Sequence, residues 1–178
     1  MVRRKKSPPL IEIVVRKIPL KTVVEKLRPL VPHNSLTLKN SLGELWIRLN
    51  GESIKISLPR KSGRFDPNIS IEDDARDRVF TINSMYIPLG KNKKAPKLID
   101  YFGGQQDIKE KKIATISKVD QLLKDDPAQM ARAISLAAEL GFRPDGNLFH
   151  ALRINSRLIG ALPIEELRKM LEAILLCR

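Results

Sequence analysis

Three short stretches in a fixed order hold most of the polar chemistry of this 178-residue chain. Arg78-Val79-Phe80-Thr81-Ile82-Asn83 sets a guanidinium, a hydroxyl and a carboxamide among apolar neighbours. Asp100-Tyr101-Phe102-Gly103-Gly104 leads on to Asp107, and Asp125-Asp126-Pro127-Ala128-Gln129 leads on to Arg132. These supply hydrogen-bond donors, acceptors and charges, but no activated nucleophile. His33 and His150 have no cysteine or carboxylate constellation near them in sequence, and nothing points to a serine or cysteine hydrolase. Two adjacent glycines open backbone conformations closed to other residues, so Gly103-Gly104 reads as a turn rather than a phosphate cradle.

Charge narrows the class of partner. Lys and Arg number 33 against 20 Asp and Glu, for a net charge of +13. Such an excess suits a polyanion, because basic side chains displace counterions from phosphates. RNA or DNA is the first expectation and an anionic surface the second. The excess clusters in Arg3, Arg4, Lys5 and Lys6, and again in Lys91, Lys93 and Lys94, the candidate RNA-binding residues; the plainer reading of each run is a solvated segment. Cys177 is the only cysteine, which excludes an intrachain disulfide and a cysteine-rich zinc site. No apolar run reaches the roughly 20 residues of a membrane span. Basic Met1–Ser7 is followed by Pro8-Pro9 rather than by an apolar export signal, so a cytoplasmic protein is expected.

The elements that must position these groups follow from periodicity. Leu10 to Arg16 is β-branched and bounded by prolines, as a buried strand is. Leu20, Val23, Val24, Leu27 and Leu30 recur at helical spacing. Residues 35–39, 44–50 and 52–58 alternate apolar with polar, and Asn50-Gly51 marks a hairpin turn. Trp46 falls on the face opposite Leu45. Asp73 or Asp74 is expected to cap a helix running through Tyr86, and Lys97 to Asp100 to form a short strand. Pro127 suits a first helical position, with Met130, Ile134, Ala137 and Ala138 as the apolar stripe and Gly141 as its stop. Two further helices are expected over 147–158 and 163–176.

The ordered series resembles the class II tRNA nucleotidyltransferases (CCA-adding enzymes) and bacterial poly(A) polymerases. It extends through Ile13-Val14-Val15-Arg16, Leu58-Pro59-Arg60, Asp66 to Glu72 and Leu140-Gly141-Phe142. The resemblance implies an α+β fold: a nucleotidyltransferase-like head, with a mixed β-sheet and flanking helices, over residues 8–115, followed by an all-α neck over 116–178. It implies nucleotide contacts from Arg78, Thr81, Asn83, Asp125, Asp126, Gln129 and Arg132, and a hinge at Asp100, Gly103 and Gly104. Relatives select the incoming base with a carboxylate and an arginine; here Gln129 stands where that arginine belongs. The ribose-reading run Arg-Arg-Asp-Phe-Thr reads Asp77-Arg78-Val79-Phe80-Thr81.

In such enzymes two aspartates hold a pair of Mg2+ ions, one lowering the pKa of the attacking 3′-hydroxyl and one stabilising the leaving pyrophosphate. The matching positions here are Leu10 and Glu12, and the family's glycine pair would fall ahead of Met1. Glu12 is thus the one candidate catalytic and metal-binding carboxylate, unless it is an ordinary solvent-facing strand residue. Three readings stay open. The first is a degenerate member that binds RNA 3′ ends, tRNA foremost, or ATP and CTP, with transfer impaired. The second is an active CTP/ATP-adding subunit or fragment whose metal-site segment comes from a partner subunit, with Mg2+ as cofactor. The third is an interaction domain that inherited the scaffold.

Overall fold

Short β-branched runs and one amphipathic helix build the first half of the chain in the computed structural model, which describes residues 10–90 and 96–176. β1 (Ile11–Val14) is followed by α1 (Leu20–Leu27), then β2 (Leu36–Lys39), β3 (Glu44–Leu49) and β4 (Glu52–Ser57). The strands form one mixed sheet in the order β1-β4-β3-β2, with β1 parallel to β4 and the other neighbours antiparallel. Asn50 and Gly51 both take positive φ, 51° and 84°, which is what a two-residue hairpin between twisted strands requires. The α-helix stops at Leu27, and Pro29, lacking an N–H, carries the chain into a 3₁₀ turn over Arg28–Leu30.

Alternation sorts the sheet into two faces. Leu45, Ile47 and Ile56 are buried together with Leu20 of α1, and Ile13, Val23, Val24 and Ile54 pack against them. The opposite face carries Glu12, Glu44, Trp46 and Lys55. Beyond the sheet, a hairpin of β5 (Arg60–Lys61) and β6 (Arg64–Phe65) precedes α2 (Ile71–Arg76). The cap of α2 is Ser70, whose hydroxyl accepts from the Asp73 N–H at 3.0 Å, and not Asp73 or Asp74. The acids Glu72, Asp73 and Asp74 in its first turn face the positive end of the helix dipole.

The helix does not run through Tyr86. It ends at Arg76, and Val79 sits in the left-handed region at φ 69°. Phe80 then forms an isolated bridge to Thr115, Thr81–Asn83 makes a 3₁₀ turn, and β7 (Met85–Tyr86) pairs with β8 (Ile99–Asp100). The chain separates into two compact units, one ending at Asp77 and one beginning at Arg78.

The second unit continues with α3 (Gly104–Lys109), β9 (Lys112–Ile113), α4 (Val119–Asp125), α5 (Ala128–Leu140), β10 (Arg143–Pro144), α6 (Gly146–Ile154) and α7 (Ile164–Leu176). Gly141, at φ 65°, ends α5 in the left-handed conformation, and Phe142 N–H reaches back to Ala137 O at 3.0 Å. β10 pairs in parallel with β9. Asp145 caps α6 by accepting from Leu148 N–H at 2.7 Å. Phe80, Ile113, Ala133 and Leu148 form one core, and Leu123, Met130 and Ala151 a second. Among the described residues, no helix is long and apolar enough to cross a membrane.

Candidate functional site

In the first unit, Glu12 stands on β1 directly beside Lys55 of β4. The Lys55 ammonium lies 3.1 Å from Glu12 Oε2 and 3.7 Å from Glu44 Oε1, and Trp46 Nε1–H donates to Glu44 Oε2 at 3.0 Å. Lys39 Nζ lies 5.5 Å from the centre of the Trp46 ring. Trp46 therefore serves the polar face of the sheet by orienting a carboxylate. Leu10, at the other position where the resemblance calls for a metal ligand, is apolar and exposed.

This donor set does not suit Mg2+, which takes an octahedron of oxygens. The one carboxylate at the expected place already neutralises a lysine. Among the described residues no three His, Cys, Asp or Glu side chains gather as a metal site.

Asp77 and its neighbours have a different use. Asp77 Oδ1 accepts from Ser62 N–H at 2.9 Å, and its carbonyl accepts from Arg60 Nη2 at 3.0 Å. Arg60 Nε lies 3.2 Å from Asp77 Oδ2, an ion pair without hydrogen-bond geometry. Fully buried Asp74 accepts from Arg60 N–H at 2.8 Å. The position where relatives place an arginine thus fastens the β5–β6 hairpin to α2.

In the second unit the expected nucleotide-contacting residues divide. Arg78 is half-buried, its guanidinium 5.8 Å from the centre of the Tyr86 ring, a cation–π distance. Asn83 and Arg132 are exposed. Thr81 points inward, its buried hydroxyl donating to Asp107 Oδ2 at 2.6 Å, while Lys112 Nζ lies 3.1 Å from Asp107 Oδ1. The hydrogen bonds that Lys112 donates to Glu110 and then Asp107 hold its pKa above the ordinary value. Thr81 is thereby committed to the protein interior.

Asp126 and Gln129 form a pair at the start of α5. Gln129 Nε2 donates to Asp126 Oδ2 at 2.7 Å, and Asp126 Oδ1 accepts from Ala128 N–H at 3.1 Å. Gln129 is buried, with one carboxamide hydrogen fixed on that carboxylate. Asp125 faces outward and accepts from Gln121 Nε2 at 2.7 Å.

The glycine pair is tied by backbone hydrogen bonds to Asp100. Asp100 Oδ1 accepts from Gly104 N–H at 2.9 Å and Phe102 N–H at 3.3 Å, and Oδ2 accepts from Gln105 N–H at 2.9 Å. Burial pushes the Asp100 carboxyl up, but these backbone N–H groups and that of Gly103 outweigh it and hold the pKa below the ordinary value. Gly103 takes φ 78°, and a Cβ on Gly104 would collide with Thr81 O. His33 lies in a 3₁₀ turn and His150 on an exposed position of α6. Arg3, Arg4, Lys5, Lys6, Lys91, Lys93 and Lys94 lie outside the described residues.

Lys55 and Glu44 were not anticipated from the sequence. Strand alternation carried the signal: Lys55 shares a face with Ser53 and Ser57, and the β1–β4 register brings Glu12 beside it.

Residues 39–114 match the poly A polymerase head domain. The chain is 34% identical over 108 residues to poly(A) polymerase I of Escherichia coli, across 58% of this chain and 22% of that protein. The chain is thus similar to the tRNA nucleotidyltransferases and poly(A) polymerases. Another relative is the CC-adding tRNA nucleotidyltransferase of Halalkalibacterium halodurans, 28% identical over 152 residues, across 85% of this chain and 37% of that one. Among solved structures, a tRNA nucleotidyltransferase complexed with a primer tRNA and an incoming ATP analog superimposes with a TM-score of 0.74 at 25% identity. It covers 97% of this chain and 52% of its own. The chain spans 22% and 37% of the two curated relatives' lengths.

Proposed function

We propose that this chain is a nucleotidyltransferase-family protein that binds RNA 3′ ends, tRNA foremost, and nucleotides in the cytoplasm, with nucleotidyl transfer impaired or lost. The observation that carries the reading is the Lys55 ammonium on Glu12 at 3.1 Å. A carboxylate so neutralised, with Leu10 for its companion, offers nothing to hold two divalent ions against a 3′-hydroxyl and a pyrophosphate, and phosphoryl transfer rests on such positioning and charge neutralisation.

Support for retained binding comes from the second unit. Gln129 and the Ala128 N–H use two of the roughly four acceptor sites of the Asp126 carboxylate, one on each oxygen, and exposed Arg132 lies one helical turn on. A carboxylate accepts from the exocyclic amine that cytosine and adenine share, so this end of α5 suits CTP and ATP. Without the guanidinium fork at position 129, discrimination against other bases is weaker. Residues 8–115 act as the head, residues 116–178 as the neck, and the hinge lies at Asp100, Gly103 and Gly104. Val79, where relatives carry a ribose-reading carboxylate, removes one sugar contact.

The binding test is a fluorescence-anisotropy titration of 3′-labelled tRNA at rising salt. The expected result is binding that weakens steeply as salt rises, since a protein of net charge +13 engages phosphates by counterion release. No binding at low salt would overturn the proposal.

A further inference from the structure

Lys55 occupies a particular place in the sheet. β4 lies between β1 and β3, so a side chain on its polar face can reach a carboxylate on either neighbour, and Lys55 does both. Its side chain is 17% exposed and that of Glu44 19%, so these two charges are drawn largely out of water, while Glu12 stays on the exposed part of β1. Two carboxylates that share a half-buried surface repel each other unless a cation lies between them. Trp46 fixes Glu44 from the other side with its indole N–H.

We infer that Lys55 is the resident counter-cation of this sheet face, covalently supplied, and that it closes Glu12 to divalent metal. The inference deepens the proposed reading and rests on it only for the significance of position 12; the ion pairs stand without it. An ammonium serves two acids as a point charge with three donors, and it cannot leave. A divalent ion coordinated by Glu12 would have to sit within a few ångströms of that ammonium, so the two positive charges oppose each other's presence there. The sheet face therefore keeps a positive charge between its two acids without added metal, and removing the lysine takes that charge away from both.

The probe is Mn2+ alone, without nucleotide or RNA, titrated into the full chain with free Mn2+ read by electron paramagnetic resonance. Wild-type protein is expected to leave Mn2+ free up to millimolar concentrations. Lys55→Met, checked for wild-type circular dichroism, is expected to bind Mn2+ at least tenfold more tightly than wild type, and Glu12→Gln in that background is expected to abolish the gain. Wild-type binding that Glu12→Gln removes would overturn the inference, as would a folded Lys55→Met variant that binds no more Mn2+ than wild type. Should Lys55→Met fail to fold, the comparison of wild type with Glu12→Gln still decides, because it leaves the lysine in place. tRNA anisotropy on the same samples separates the two claims: lost RNA binding counts against the proposed function and not against the lysine.

Discussion

Val79 places a β-branched residue at φ 69°, where L-residues other than asparagine and aspartate are uncommon. The left-handed conformation costs an L-residue about 1–2 kcal/mol. Glycine avoids that cost but loses about 0.5–1 kcal/mol relative to alanine through its freedom in the unfolded chain. Val79→Ala and Val79→Gly both delete the branched methyls that pack on the Phe80 and Ile113 core, so that loss nearly cancels between them. What remains is the backbone term, and Val79→Gly should be more stable than Val79→Ala by about 0.5–1 kcal/mol. At Ala137 in the interior of α5 the usual order should hold, with Ala137→Gly costing about 1 kcal/mol. Urea unfolding followed by circular dichroism measures all three variants, and a difference of 1 kcal/mol appears as about 2–4 °C in thermal melts of a chain this size. The reasoning is refuted if Val79→Ala equals or exceeds Val79→Gly.

Other consequences are local. Gly104→Ala should destabilise by about 1–3 kcal/mol in chemical denaturation, because its Cβ meets the backbone oxygen of Thr81 rather than a yielding side chain. Thr81→Val should cost about 1.5–3 kcal/mol, the range for a hydrogen bond to a charged group, by stripping the buried Asp107 of its hydroxyl donor. Asp100→Ala should cost about 0.5–2 kcal/mol, as removal of a helix cap does. Since the folded Asp100 pKa is depressed, its stabilisation is full above the ordinary aspartate value and fades as pH falls through the lower folded one. Wild type and Asp100→Ala should therefore converge in stability in acid and separate near neutrality; a gap that widens on acidification would contradict this.

Much of the fold was written in local patterns. Alternation in β3 and β4, the Asn50-Gly51 turn and the Gly141 stop each act over a few residues, so the sequence exposes them directly. Features that depend on distant partners were less legible. Acidic Asp73 and Asp74 suggested a cap and a longer helix. Ser70 won the capping position because its hydroxyl meets the Asp73 N–H, and the left-handed Val79 diverts the chain from any helix beyond Arg76. The two-residue β9–β10 pair carries almost no periodicity. At the candidate site, Glu12, Asp126 and Gln129 stood out through the resemblance to the nucleotidyltransferases and poly(A) polymerases. The partners of Glu12 did not, because Lys55 lies 43 positions away and meets it only once β1 pairs in parallel with β4. Thr81 was read as a ligand contact, but the structure uses its hydroxyl on Asp107.

The most direct test of whether binding has outlasted transfer is an incorporation assay. Purified protein is incubated with Mg2+, labelled CTP or ATP and tRNA lacking its terminal CCA, and the labelled tRNA is resolved on a denaturing gel while binding is followed in parallel. Bound tRNA with no labelled product is the predicted result. Incorporation by the wild type that disappears in Glu12→Ala would contradict it and establish the chain as a working transferase.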